Sequence, residues 1–365
     1  MSFYIPVRYF FGKEIIKNNS DRFLKYESNI LIITGKSSHK NGSLEDIKDV
    51  LTKNNKTFFV FDEIEHNPPT VLLDKIKNGF EKKEIRTIIG IGGGSPIDIA
   101  KAVSLMLANS IAGSDIYKPE LIKKNIPIIA IPTTSGTGTE VTPFTVINDS
   151  SRGIKAGITS DLIFPHMAFL DPSYTLSMPW TVTRDTAIDA LSHLLEGLFS
   201  KNRERTIYPL IYEGCRDIID NLLFLKEEPD NYYYRCKIMR ASLYGGIAIA
   251  QTGTTLQHSI GYPLTYNAGI THGYANGMVF PYIIELYGEK VREEILKVIK
   301  CAGLNNLNDF YEWLEKTGIE FKCSELCERE IEQFAKTAFS ARNMANNPKE
   351  VNLEEVAGIY RKLLV

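Results

Sequence analysis

Short runs of apolar, largely β-branched residues recur through the first half of the chain. Asn29–Thr34, Thr57–Phe61, Thr87–Ile91 and Pro127–Ile131 are such runs, each closed by Gly, Pro or polar residues. Between them, stretches such as Ser43–Lys53 and Thr70–Lys83 are charged and compatible with helix. Strands that are apolar on both faces must be covered on both, so the alternation predicts a mostly parallel sheet sandwiched by helices. Tyr4–Phe11 is an apolar run that precedes the first helix. It predicts an edge strand, and an edge needs a cover, such as a second subunit.

The pattern changes after Asp171-Pro172. From about Thr183 onward only helical periodicity remains, with helices predicted at Arg184–Phe199, Tyr208–Leu225, Tyr233–Gln251, His272–Leu286 and Leu353–Leu364. The chain of 365 residues is too long for one ordinary core. The reading is an α/β domain over residues 1–178 and an all-α domain over 179–365.

Composition narrows the partners. Apolar residues are 44% and charged residues 24%, which indicates a folded globular chain rather than a disordered one. A net charge of −2 provides no field to gather nucleic acid or an anionic membrane, so small molecules are the expected ligands. No basic segment followed by an apolar run opens the chain, and no uncharged apolar stretch reaches the ~18 residues of a membrane span. The five cysteines are odd in number and scattered, as expected of reduced thiols in the cytoplasm.

Two loops carry candidate anion-binding chemistry. Gly92-Gly93-Gly94-Ser95-Pro96-Ile97-Asp98 follows a strand and opens a helix. Ser95 suits the N-cap, Pro96 the first helical position and Asp98 the capping-box partner. Free amides at such a helix start favour phosphate, although a well-capped tight turn would look the same. The polar loop Thr133–Glu140 follows the next strand and adds hydroxyls at the same carboxyl edge, where α/β sheets bind ligands.

The helical half carries candidate metal ligands. Asp189 and His193 are four residues apart and share one helix face. His258 and His272 lie fourteen apart, across Gly261-Tyr262-Pro263, which should break a helix. Each histidine alone is more simply a buried, hydrogen-bonded one. Together the four make an oxygen and nitrogen set without thiolate, suited to divalent iron or zinc.

The ordered segments GGGSPIDIAK (Gly92–Lys101), IPTTSGTGTEVTP (Ile131–Pro143), FLDPSYT (Phe169–Thr175), DALSHLLEG (Asp189–Gly197) and HSIGYPLTYNAGITHG (His258–Gly273) resemble the iron-containing alcohol dehydrogenase family over nearly the whole chain. The 1,3-propanediol and butanol dehydrogenase-like branch is the most similar. The resemblance implies a dinucleotide-binding N-terminal domain, a helical metal-binding domain, an active-site cleft between them and a homodimer. It implies Asp189, His193, His258 and His272 as ligands of Fe2+, with Zn2+ as the alternative ion. It further implies cofactor contacts from Asn67, Gly93, Gly94, Ser95, Asp98, Thr133, Thr134, Thr142, Lys155 and Leu176.

Two positions depart from many members. Tyr262 stands where a relay histidine is common, and Gly35, after the Ile32–Thr34 strand end, stands where an acidic residue often holds the cofactor ribose. The missing acid and the following Lys36 favour NADP over NAD. The expected reaction is hydride transfer between the cofactor and a small alcohol/aldehyde pair. The alternatives are a glycerol-dehydrogenase-like or dehydroquinate-synthase-like enzyme of the same architecture, or a nucleotide- or metal-binding sensor without turnover.

Overall fold

The computed structural model describes residues 3–65, 68–149, 154–324 and 326–364. It divides into two compact units. One comprises Ile5–Thr134 and Gly138–Ser177; the other comprises Met1–Tyr4, Ser135–Thr137 and Met178–Val365.

The first unit is built on a six-stranded, all-parallel sheet. Its strands are β1 (Arg8–Phe11), β2 (Ile30–Thr34), β3 (Phe58–Phe61), β4 (Thr87–Gly92), β5 (Ile128–Pro132) and β8 (Met167–Leu170), in the order β1-β8-β5-β4-β2-β3. Every residue of β2, β4 and β5 is buried, which is why their sequences are apolar without alternation. The edge strands β1 and β3 are only partly buried. The expected strand over Tyr4–Phe11 is shorter than its apolar run. Only Arg8–Phe11 finds a partner ladder, in register with Met167–Leu170.

Helix Gly94–Asn109 packs against β4 and differs from expectation at its start. Gly93, not Ser95, occupies the N-cap, and no side chain caps it. Gly92 sets this geometry, with φ +145° and no room for a Cβ, which would lie 2.6 Å from Pro96 Cγ. Pro96 is thereby the third helical residue, still within the turn whose amides have no helical partner. Asp98 is not a capping-box partner; its carboxylate accepts from Thr139 Oγ1 (2.6 Å) and from the Val146 amide (2.9 Å). An antiparallel hairpin, β6 (Phe144–Asp149) with β7 (Ile154–Thr159), completes this unit.

The second unit is helical. Trp180–Phe199, Tyr208–Asn221 and Tyr232–Thr252 share a large apolar core with helices Leu256–Tyr266, Phe280–Tyr287, Glu289–Cys301, Leu307–Thr317, Glu328–Phe339 and Leu353–Leu364. The expected helix His272–Leu286 is two helices, His272–Met278 and Phe280–Tyr287, with Pro281 in the first turn of the second. Pro263, by contrast, does not break its helix, which runs through it from Leu256 to Tyr266. A proline there costs about 3 kcal/mol. Leu256, Ile260 and Leu264 are fully buried on that helix, and each contributes about 1.5–3 kcal/mol, so burial outweighs the lost hydrogen bond.

Candidate functional site

In the helical unit, Trp180–Phe199 carries Asp189 and His193 on one face, Leu256–Tyr266 carries His258, and His272 opens the next helix. The close approach of this last helix depends on Gly273. A Cβ there would sit 1.7 Å from the Asp185 carbonyl oxygen, so only glycine lets His272 reach Asp189.

One oxygen organises the cluster. Asp189 Oδ1 lies 3.5 Å from His258 Nε2, 3.7 Å from His272 Nε2 and 3.9 Å from His193 Nε2. The ligand atoms of Asp189, His258 and His272 all lie within 4.8 Å of one another. His193 stands beside this set, its ring stacked on His258 with centroids 4.7 Å apart. Each histidine has its other nitrogen occupied: His193 Nδ1 donates to the Gly136 carbonyl (3.2 Å), His258 Nδ1 pairs with Glu196, and His272 Nδ1 lies 3.4 Å from Thr265 Oγ1. Such contacts fix the ring orientations and turn the Nε2 atoms inward, as metal-binding histidines require.

The charges agree with that geometry. Burial pushes the Asp189 carboxyl up, but the charges of His193 and His272 and the contact with His258 hold it well below the usual carboxylate range. Burial pulls His258 down, yet Glu196 and Asp189 raise it to about 9. His193 is lowered, chiefly by burial. Nitrogen and carboxylate donors converging on one buried point suit a divalent transition ion.

Two contributors are not singled out by the sequence reading. Glu196 is fully buried and accepts from the Thr255 amide (2.6 Å) and hydroxyl (2.8 Å) besides holding His258. It lies three residues after His193 on the same helix, so helical spacing carried the signal. Asn276, four residues after His272, places its amide nitrogen 2.9 Å from Asp189 Oδ1, 3.2 Å from His258 Nε2 and 3.4 Å from His272 Nε2. Among the described residues its own Oδ1, also buried, has no hydrogen-bond partner. Tyr262 stacks flat on His272, with centroids 5.6 Å apart and planes at 5°. Burial raises its hydroxyl to about 12, and the Asn343 amide donates to it (3.4 Å).

In the α/β unit, the carboxyl ends of β4 and β5 bring the two loops together. The Thr133 amide donates to the Gly92 carbonyl (2.9 Å), and a Cβ on Gly93 would lie 3.0 Å from Thr134 Oγ1. This is a bare-backbone cradle at a helix start, a fit for a pyrophosphate. Thr142 is buried, and its carbonyl oxygen accepts from Lys101 Nζ (2.9 Å). Lys101 also donates to the carbonyl oxygens of Thr139 and Phe144, both at 2.7 Å, so this loop is tied to the helix behind it. Gly94, Ser95 and Asp98 lie on that helix, and Leu176 follows the turn after β8. Asn67 and the side chain of Lys155 lie outside the described residues. Gly35 has a steric origin: a Cβ there would stand 2.6 Å from the Ile64 carbonyl oxygen, so no acidic side chain fits.

Comparison with known proteins agrees with both halves. Residues 6–172 match the family described as iron-containing alcohol dehydrogenase, and residues 183–364 match the C-terminal domain of the Fe-containing alcohol dehydrogenase family. A long-chain primary alcohol dehydrogenase of Thermoanaerobacter ethanolicus is 29% identical over 96% of this chain and 91% of its own. The structure of an iron-containing alcohol dehydrogenase from Thermotoga maritima superposes with a TM-score of 0.92 at 38% identity, covering 100% of this chain and 99% of that one. A sulfoacetaldehyde reductase of Bifidobacterium kashiwanohense, solved with NAD+, gives a TM-score of 0.88 at 26% identity over 99% and 98% of the two chains. Two matched domains in order, a parallel-sheet unit with a bare glycine turn and a helical unit with a buried Asp–His cluster together place the chain in the iron-containing alcohol dehydrogenase family, enzymes of nicotinamide-linked alcohol and aldehyde interconversion.

Proposed function

We propose that this enzyme reduces a small aldehyde with NADPH, using a divalent iron held by Asp189, His193, His258 and His272, and that it runs in reverse with the alcohol. The observation that carries the reading is the convergence of three imidazole Nε2 atoms within 4 Å of Asp189 Oδ1. A four-donor set favours the alcohol dehydrogenase over its glycerol-dehydrogenase-like or synthase-like relatives in architecture. When bound, the ion supplies Lewis acidity toward a substrate oxygen and the nicotinamide supplies or takes the hydride. Glu196, Gly136 and Thr265 orient the imidazoles. Tyr262 stays protonated at neutral pH, so it acts as a hydrogen-bond donor beside His272 rather than as a base. The Gly92–Gly94 turn and Thr134 position the cofactor phosphates, and Asn67 and Lys155 belong to the same proposal by motif.

The preference for NADPH rests on Lys36 and His39 after β2, which offer an ammonium and an imidazole N–H to a 2′-phosphate. A homodimer through the edge strand β1 and a cytoplasmic setting complete the reading. Among the described residues no helix is long and apolar enough to cross a membrane.

The test combines metal analysis with cofactor absorbance across an aldehyde panel. Chelation should abolish turnover and Fe2+ should restore it. His193→Ala and His272→Ala should each lose most bound metal and nearly all turnover while keeping the wild-type circular dichroism. Full occupancy and activity in both variants would remove the cluster from the mechanism.

A further inference from the structure

The donors expected to greet a 2′-phosphate already face a carboxylate. Lys36 Nζ lies 2.9 Å and His39 Nε2 lies 2.8 Å from the same oxygen, Asp62 Oδ2. Asp62 directly follows β3, and β3 pairs in parallel register with β2, whose end leads into Gly35 and Lys36. The acid therefore comes from the neighbouring strand, while the backbone of Ile64 bars any side chain from position 35 itself. Two other polar groups nearby are already engaged. Ser38 is buried and its hydroxyl donates to the Gly35 carbonyl (2.8 Å), and Glu63 pairs with Lys75.

We infer that Asp62 is a specificity-determining residue, an internal anion that competes with the 2′-phosphate of NADPH for Lys36 and His39 and so tempers the NADPH preference. The inference rests on the proposed cofactor reading for its setting. The pair suits such competition because it stays accessible, with side chains 71% (Lys36), 44% (His39) and 30% (Asp62) exposed. Exposed ion pairs are weak, so a phosphate with more charge and more acceptor oxygens can displace the carboxylate. The Lys36 contact holds the Asp62 carboxyl below the usual carboxylate range, so it keeps its charge at neutral pH. NADH, with only ribose hydroxyls at that position, meets neither the competition nor its relief.

Fluorescence titration of NADPH and NADH onto the metal-loaded enzyme tests this for wild type, Asp62→Asn, Lys36→Met and the double variant. Asp62→Asn should tighten NADPH about three- to fivefold and leave NADH nearly unchanged. The gain should vanish when Lys36→Met is added. An unchanged ratio of NADPH to NADH affinity in Asp62→Asn, or a weaker hold on NADPH, overturns the inference. The cofactor reading is judged separately, by the wild-type ratio: a wild type that favours NADH defeats that reading, while a shift toward NADPH in Asp62→Asn still supports the role of Asp62. Unaltered NADH binding serves as the folding control.

Discussion

Glu196 is the residue on which the proposed metal cluster leans most without belonging to it. Its carboxylate has no exposure, accepts from both donors of Thr255 and holds His258 by Nδ1. A carboxylate behind a ligand imidazole fixes its tautomer and raises its basicity, and loss of such a partner typically costs 10–100-fold in metal affinity. Glu196→Gln keeps the shape but not the charge. It should weaken Fe2+ binding by about 10–100-fold, measured by competition with a chromophoric chelator, and leave NADPH affinity nearly unchanged. A metal affinity equal to wild type would reduce Glu196 to a structural hydrogen-bond acceptor. Asp189 and His193 are readable in the sequence because one turn of helix joins them. Glu196 and Asn276 share the same helical spacing, but their meaning comes from partners on other helices, His258 for one and Asp189 for the other. Spacing within one helix shows which residues share a face and says nothing about what that face meets.

At the scale of elements, the segment Thr139–Asp149 shows how a loop is made rigid. Asp98 and Lys101, both on helix Gly94–Asn109, hold it from behind through the Thr139 hydroxyl, the Val146 amide and three carbonyl oxygens. Glu140 is buried in the same segment, and burial raises it from the usual 4.5 to about 7. Between those values the native chain still holds a proton that the unfolded chain has released, so stability falls as pH rises through the window. The loss is on the order of 3 kcal/mol when complete. Glu140→Gln removes this term. Its Tm should therefore gain on wild type steadily from pH 5 to pH 7, a full unit below the value of about 8 to which burial lowers Lys101. Parallel Tm curves over that range would show that Glu140 does not titrate there. The sheet strands are readable because burial on both faces leaves unbroken apolar runs. The β6–β7 hairpin is not, because Thr145, Asn148, Lys155 and Gly157 interrupt the apolar pattern of its strands. Pro263 misleads for the opposite reason: its local penalty is real, but the core contacts that outweigh it are distant in sequence.

For the whole molecule, the open question is what covers β1. It is the edge of the six-stranded sheet, paired on one side with β8, and Tyr4 and Tyr9 are 52% and 43% exposed. Just before it, the side-chain amide of Gln251 holds Tyr4 by both main-chain groups, at 2.9 and 3.0 Å, which keeps the approach to the strand extended. A half-exposed aromatic edge of this kind is a template for pairing with a second copy. Sedimentation at micromolar concentration should give a dimer. Replacing Tyr9 by Lys should shift it toward monomer, because a charge on a pairing edge opposes association. A monomeric wild type would end this proposal.

The position of β1 also governs when the sheet can be finished. Among the described residues Arg8–Phe11 pairs with Met167–Leu170 alone, and the flanking amides of Arg8 and Gly12 donate to the His166 and Leu170 carbonyls. During synthesis β1 is made before the other strands of its sheet and is thus the last of them to gain a neighbour, since β2, β3, β4 and β5 can assemble before β8 exists. Closing so long a loop is slow relative to local pairing. Until then the aromatic edge strand stays unpaired, a waiting period in which chaperones or neighbouring chains have first access to it.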